Sequence, residues 1–286
     1  MTDPVPSGTR IQGRRIALVL GASLLAVIVL TPVSAALGGS LRRTAHLVLQ
    51  LGFLTALALS APRRRGAWAI EAGLAGAARP LRTWLRGLLA GIGGLLAYGL
   101  ILIALGERGF QGEPTPAGLL KTGLVSLPLA FLIGLLEDVA FFGFLQSAFG
   151  GRTLPAALLY AVTHFIPVPK SAVFEWSRPL AGAEALAHMG RSLSGAVERP
   201  LELIGLLVVG LVLGGLRRRS GSIWLSMGLH GGWYWQRTVG RKWSEDLSGA
   251  REWLFGTDRF CDGILGWVLV IVTGWLLLRP RTSAPE

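Results

Sequence analysis

Long apolar runs separated by short polar joints dominate the chain from residue 16 to residue 278. A run of about 20 apolar residues matches a hydrocarbon layer of roughly 30 Å at 1.5 Å per helical residue. Such runs cover 16–37, 44–61, 85–105, 118–149, 153–168, 201–216, 222–239 and 264–278. The pattern predicts an all-α polytopic membrane protein, a bundle of about eight transmembrane helices with additional interfacial helices. The first run follows basic residues, as a signal peptide would, but it has no clear small-residue cleavage site and reads as a retained helix.

The joints carry their own pattern. Residues 68–86 alternate apolar side chains with arginines and suit a helix lying along the membrane surface. Segment 170–199 contains 181–193, apolar at helical spacing, and 237–262 places Trp243 and Trp253 among mixed charges. Both segments read first as surface elements anchoring the bundle, with a substrate-guiding rim as the functional alternative. Residues 1–15 and 279–286 read as tails. That leaves 16–278 as a single transmembrane domain with a motif-bearing core at 118–240. Gly87-x-x-x-Gly91 and Gly210-x-x-x-Gly214 put small residues on one helix face and suit close helix packing.

Only 15% of the residues are charged, whereas soluble domains carry about a quarter. The net charge of +12 would suit nucleic acid if it were clustered on one soluble face. Instead the arginines alternate with the spans: Arg10, Arg14 and Arg15 precede the first, Arg63 to Arg65 with Arg79, Arg82 and Arg86 follow the second, Arg217 to Arg219 follow the sixth, and Arg279 and Arg281 follow the eighth. An even number of spans puts all of these on one side, so the positive-inside rule predicts cytoplasmic termini. Arg42 and Arg43 are the exception. The partner implied is the lipid bilayer, not nucleic acid. Arginine in excess of lysine, with abundant Gly and Ala, points to a bacterial inner membrane. Cys261 is the lone cysteine, which excludes a disulfide framework and reads as an apolar contact residue.

Against this background the buried polar residues stand out. Glu137 and Asp138 lie side by side within the run 118–149, and His164 and His230 each sit in another run. Ionisable groups are costly in a membrane and usually face the bundle interior, where they act. A carboxylate in low dielectric is raised toward the range of a general base. Asp138 points about 100° away from Glu137 around an α-helix, so one acid acts while the other supports it. Tyr160 shares a face with His164, and Tyr234 with His230, one helical turn apart. His46 and His188 fall near span ends or in loops and receive no role.

Glu137-Asp138-Val-Ala-Phe141-Phe142-Gly143 resembles the first motif of the CPBP family of CAAX proteases and bacteriocin-processing membrane proteins, Glu-Glu-x-x-x-Arg. Tyr160-x-x-x-His164 resembles its second motif, Phe-x-x-x-His. Gly221-Ser222-Ile223-Trp224 followed by His230-x-x-Trp233-Tyr234 resembles the third, which ends in His-x-x-x-Asn. Four positions depart from the family: Asp138 for the second Glu, Phe142 for the Arg, Tyr160 for the Phe and Tyr234 for the Asn.

The resemblance implies an intramembrane peptidase without a nucleophilic side chain, acting on a membrane-associated peptide or protein. Glu137 and His164 would activate water, and His230 with Tyr234 would stabilise the oxyanion, supported by Asp138, Tyr160 and Trp233. It implies no cofactor. Glu137, His164 and His230 are also a possible zinc ligand set, since two imidazoles and a carboxylate leave a fourth position open. The missing Arg and Asn leave room for a non-catalytic scaffold that regulates a partner protein. A proton-coupled transporter ranks last, because no repeat pair is evident.

Overall fold

A computed structural model describes residues 67–112, 115–166, 181–247, 251–257 and 259–279, together with Gly21, Ala22 and Leu25, which are helical. The predicted span 44–61, the first tail and all of the second but Arg279 lie outside the described residues, as does nearly all of span 16–37. Each of the other six predicted spans is helical.

Ala67–Glu71 forms α1 and Pro80–Ala104 forms α2. The expected surface helix over 68–86 is therefore corrected. Gly73 and Gly76 adopt φ of 72° and 92°, which breaks the helix after one turn. Pro80 then opens α2 at the position where its missing N–H costs nothing, so Arg82 and Arg86 ride on the spanning helix itself.

Strand β1 covers Arg108–Phe110, and α3 runs through Pro116–Ala148 as one continuous apolar rod. Thr115 caps its start by accepting from the Gly118 N–H. Residues Asp138–Leu145 within α3 form a π-helical segment. The helix α4, Thr153–Thr163, is shorter than the predicted run 153–168 and stops at His164. Pro167 and Pro169, next in sequence, cannot continue an α-helix. Then follow α5 (Ala181–Ser192), α6 (Ser194–Glu198), α7 (Pro200–Ser220), α8 (Trp224–Gly240), β2 (Ser244–Asp246), α9 (Glu252–Phe255) and α10 (Ile264–Leu278). Among the described residues α2, α3 and α7 are long and apolar enough to cross a membrane, and α4 and α10 are shorter apolar helices. Eight full spans are thus more than the described helices display. The chain is an integral membrane protein of mostly helical structure.

At the centre lies α8. A Cβ on Gly228 would stand 2.0 Å from the Trp84 carbonyl, and one on Gly87 would stand 2.3 Å from that of Leu225. Gly91 and Gly232 meet the opposite backbone just as closely, so α2 and α8 pack main chain to main chain. Gly134 of α3 and Gly231 of α8 extend this close packing to the third helix. On the far side Gly214 of α7 lies against Thr153 of α4.

The two ends of the bundle are tied separately. At one end Trp224 Nε1 donates to the Leu74 carbonyl, Ser147 Oγ to that of Glu71, and Arg217 to Ser147. At the other β1 pairs antiparallel with β2, Arg108 bonds Asp246 at 2.7 Å, and Arg251 pairs with the buried Glu107. The loops at each end are those that the alternation of charge assigns to one side. No periodicity foreshadows the two short strands.

Candidate active site

Glu137 closes the α-helical part of α3, just where the π segment begins. Such single-turn widenings commonly occur at functional sites. The wider turn carries Phe141 and Phe142 onto the ring of Tyr160, each with centroids 5.5 Å from it. Gly143 lies where a Cβ would fall 2.3 Å from the Ala72 carbonyl. Phe142, at the position of the expected arginine, is fully buried in this aromatic packing.

The Glu137 Oε2 atom lies 3.8 Å from His164 Nε2 and 3.7 Å from His230 Nε2. Each imidazole is held from behind. His164 caps the end of α4, and its Nδ1 lies 2.8 Å from the Tyr160 carbonyl, which can only accept. His230 Nδ1 lies 2.9 Å from Asp138 Oδ1, and that carboxylate is fully buried. Both Nδ1 atoms thus carry their protons toward acceptors, and both Nε2 atoms turn toward one carboxylate oxygen. Asp138 accordingly bonds a histidine, not its neighbouring glutamate.

The Tyr160 hydroxyl stands 3.5 Å from His230 Nε2, and its ring lies 4.5 Å from that of His164. Trp233 is buried beneath the site against Phe260, with ring centroids 5.9 Å apart. The Tyr234 ring lines the same cavity, and its hydroxyl forms no hydrogen bond among the described residues. All seven residues singled out from the sequence therefore meet in one place, drawn from α3, α4, α8 and the turn after α4.

Six of them, all but the fully buried Asp138, line a cavity of about 790 Å³. Its outer wall comes largely from the two segments, 170–199 and 237–262, for which a substrate-guiding rim is the alternative reading. Arg199 donates to Glu202 at 2.5 Å, and Arg259 binds the other oxygen of the same carboxylate, joining the start of α7 to the turn before α10. Phe260 and Cys261 complete that wall, and Ser192, Ser194 and Glu198 contribute from the segment before α7. Described residues of both long joints therefore line the cavity. Burial, with Asp262 and Glu202 nearby, pushes the Cys261 thiol up to about 12, so it stays protonated at neutral pH. Its burial fits the apolar contact expected of it.

Among the described residues no group of three or more His, Cys, Asp or Glu side chains is arranged to hold a metal ion. Glu137, His164 and His230 converge with separations of 3.7 and 3.8 Å from Glu137 Oε2 to the two Nε2 atoms.

Residues 120–236, about two fifths of the chain, match the family model for the Rce1-like type II CAAX prenyl endopeptidases. The stretch holds all seven residues and the three motifs, so the CPBP resemblance is borne out. No curated protein and no solved structure matches the chain.

Proposed function

We propose, from the membership of residues 120–236 in the Rce1-like CAAX protease family, that the protein is an intramembrane endopeptidase that hydrolyses a membrane-associated peptide through activated water. The observation that carries this reading is the convergence of two back-anchored imidazoles on Glu137 Oε2. The separations of 3.7 and 3.8 Å are too long for good direct hydrogen bonds. A water that bridges the carboxylate and the two imidazoles belongs to this reading.

In that position Glu137 takes a proton from the water while His164, neutral at Nε2, accepts a second hydrogen bond and fixes the attack direction. The oxygen adds to the scissile carbonyl. His230, protonated at Nε2 and steadied by Asp138, then faces the oxyanion, with the Tyr234 hydroxyl as a second donor. The proton held by Glu137 passes to the departing amine, which balances the hydrolysis. Tyr234 stands where the family has Asn, and Phe142 where it has Arg, so the cation is dispensed with. The cost of a charge in an apolar bundle favours a site in which such donors act strongly. Eight spans, cytoplasmic termini and a bacterial inner membrane complete the proposal, with the bilayer and a membrane peptide as partners.

The decisive experiment is cleavage of a membrane-peptide library by purified wild type and by Glu137→Gln, each with and without a zinc chelator. Glu137→Gln is expected to lose on the order of 10³-fold or more in turnover while staying folded, as removal of an acting group does. Chelation should leave the wild type active. Cleavage lost on chelation and restored by Zn²⁺ would transfer the same three residues to a metal mechanism. A Glu137→Gln protein as active as wild type would refute the glutamate role. A folded wild type that cleaves nothing would favour the scaffold.

A further inference from the structure

The turn that walls the outer cavity is built into the bundle, not laid across it. The Cys261 carbonyl accepts from Trp267 Nε1 at 2.7 Å and fills the space beside Gly205, where a Cβ would fall 1.5 Å away. The Phe260 carbonyl stands in the same relation to Gly266, at 1.6 Å. Asp262 takes the Thr257 N–H at 2.8 Å, and Arg259 reaches across to Glu202. Main chain and flanks are thereby fixed.

Within this frame Phe260 adopts a φ of 53°, and no other non-glycine residue among the described ones has a positive φ. Bulky L-residues rarely take that conformation, and outliers of this kind persist where the surroundings over-determine them, often around sites. Its effect is to aim the ring inward, onto Trp233, three residues beyond His230 on α8. The ring lines the main cavity and also bounds a second space of about 20 Å³ beside Tyr98 and Trp243. Phe260 is therefore, with Arg237, part of the partition between the two.

Resting on the peptidase reading, we propose that Phe260 is a specificity-determining residue whose ring limits the size of the substrate side chain held beside the scissile bond, against Trp233. A small side chain fits in front of the ring. A large one requires the space that the ring occupies. A simple apolar filler would have no need of a left-handed backbone to point it at the cavity. Removing the ring frees the space it occupies beside Trp233 and lifts the limit.

The test uses peptides that carry Ala or Trp at each position flanking the cleaved bond, and reads the ratio of kcat/KM for the Ala peptide to that for the Trp peptide. At one position the wild type should favour Ala. Phe260→Ala should lower that ratio about tenfold or more, the scale on which apolar pockets discriminate side-chain bulk. Phe260→Gly relieves the backbone strain as well and serves if the Ala variant fails to fold. An unchanged ratio in the folded variants would overturn the proposal.

Binding of the same peptides to Glu137→Gln, with and without the Phe260 change, reads the wall without catalysis. A shifted binding ratio with no cleavage by wild type would sustain Phe260 and refute the peptidase reading alone. Binding of neither peptide would overturn both.

Discussion

The two histidines that face Glu137 are held in opposite ways. His164 sits at the end of a short helix, about one third exposed, with its Nδ1 on a main-chain carbonyl. His230 lies mid-helix, largely buried, with its Nδ1 on a buried carboxylate and its backbone pressed between α2 and α3. The first anchor is supplied by any residue at position 160. The second depends on one side chain and on a run of glycines. The pair therefore reaches the same orientation by means that differ in how easily a substitution undoes them.

Asp138→Asn should break the symmetry most. Asn fills the same volume but carries no negative charge, so it no longer steadies the protonated His230 that faces the oxyanion through Nε2. Loss of the carboxylate in a comparable carboxylate–histidine pair lowers turnover on the order of 10⁴-fold, and about 10³–10⁴-fold is expected here. Turnover is measured on protein that elutes as wild type in gel filtration. A loss below tenfold would mean that packing alone orients His230. No side-chain substitution can do the same to His164, because its acceptor is the main chain.

Gly228→Ala tests the packing behind His230. The added Cβ would fall 2.0 Å from the Trp84 carbonyl, and backbone cannot yield as a flexible side chain can. Overpacking of this kind costs about 1–3 kcal/mol, read as a lowered midpoint of thermal unfolding in detergent. Gly93→Ala on the same α2 is the control, since a Cβ there meets nothing within 4 Å. It should be neutral or slightly stabilising, by up to about 1 kcal/mol, from the gain in helix propensity. Equal effects at both positions would remove the close α2–α8 crossing as the support of His230.

This contrast also marks what the sequence reveals. The bilayer demands long apolar helices, so the predicted run 264–278 coincides with α10, and the boundaries of α2, α3, α7 and α8 fall within several residues of expectation. Charged and aromatic residues inside those runs are conspicuous for the same reason, which is why Glu137, Asp138, His164 and His230 could be singled out. The π segment was hidden, since it changes the turn of α3 without changing its composition. So was the make-up of the wall formed by Arg199, Glu202, Arg259 and Phe260. Its residues come from the start of α7 and a distant turn with no shared period, and Gly205 and Gly266, which let the turn in, resemble any other glycine in a chain with 40 of them.

Tyr160 belongs to both anchors and should matter least through its hydroxyl. Its carbonyl holds His164, its ring packs against His164, Phe141 and Phe142, and its hydroxyl reaches His230 Nε2 only at 3.5 Å. Tyr160→Phe keeps the carbonyl and the ring and deletes that one long contact. A normal hydrogen bond contributes about 1 kcal/mol net, so this weaker one should cost less than about fivefold in turnover. Tyr160→Ala removes the ring as well and should lower stability by about 3–5 kcal/mol, as other large aromatic deletions do. A loss of 10² or more in Tyr160→Phe would instead assign the hydroxyl a direct part beside His230, on the scale of an oxyanion donor. His230 would then present its Nε2 to a tyrosine as well as a glutamate, and its burial would serve chemistry on two sides where His164 serves it on one.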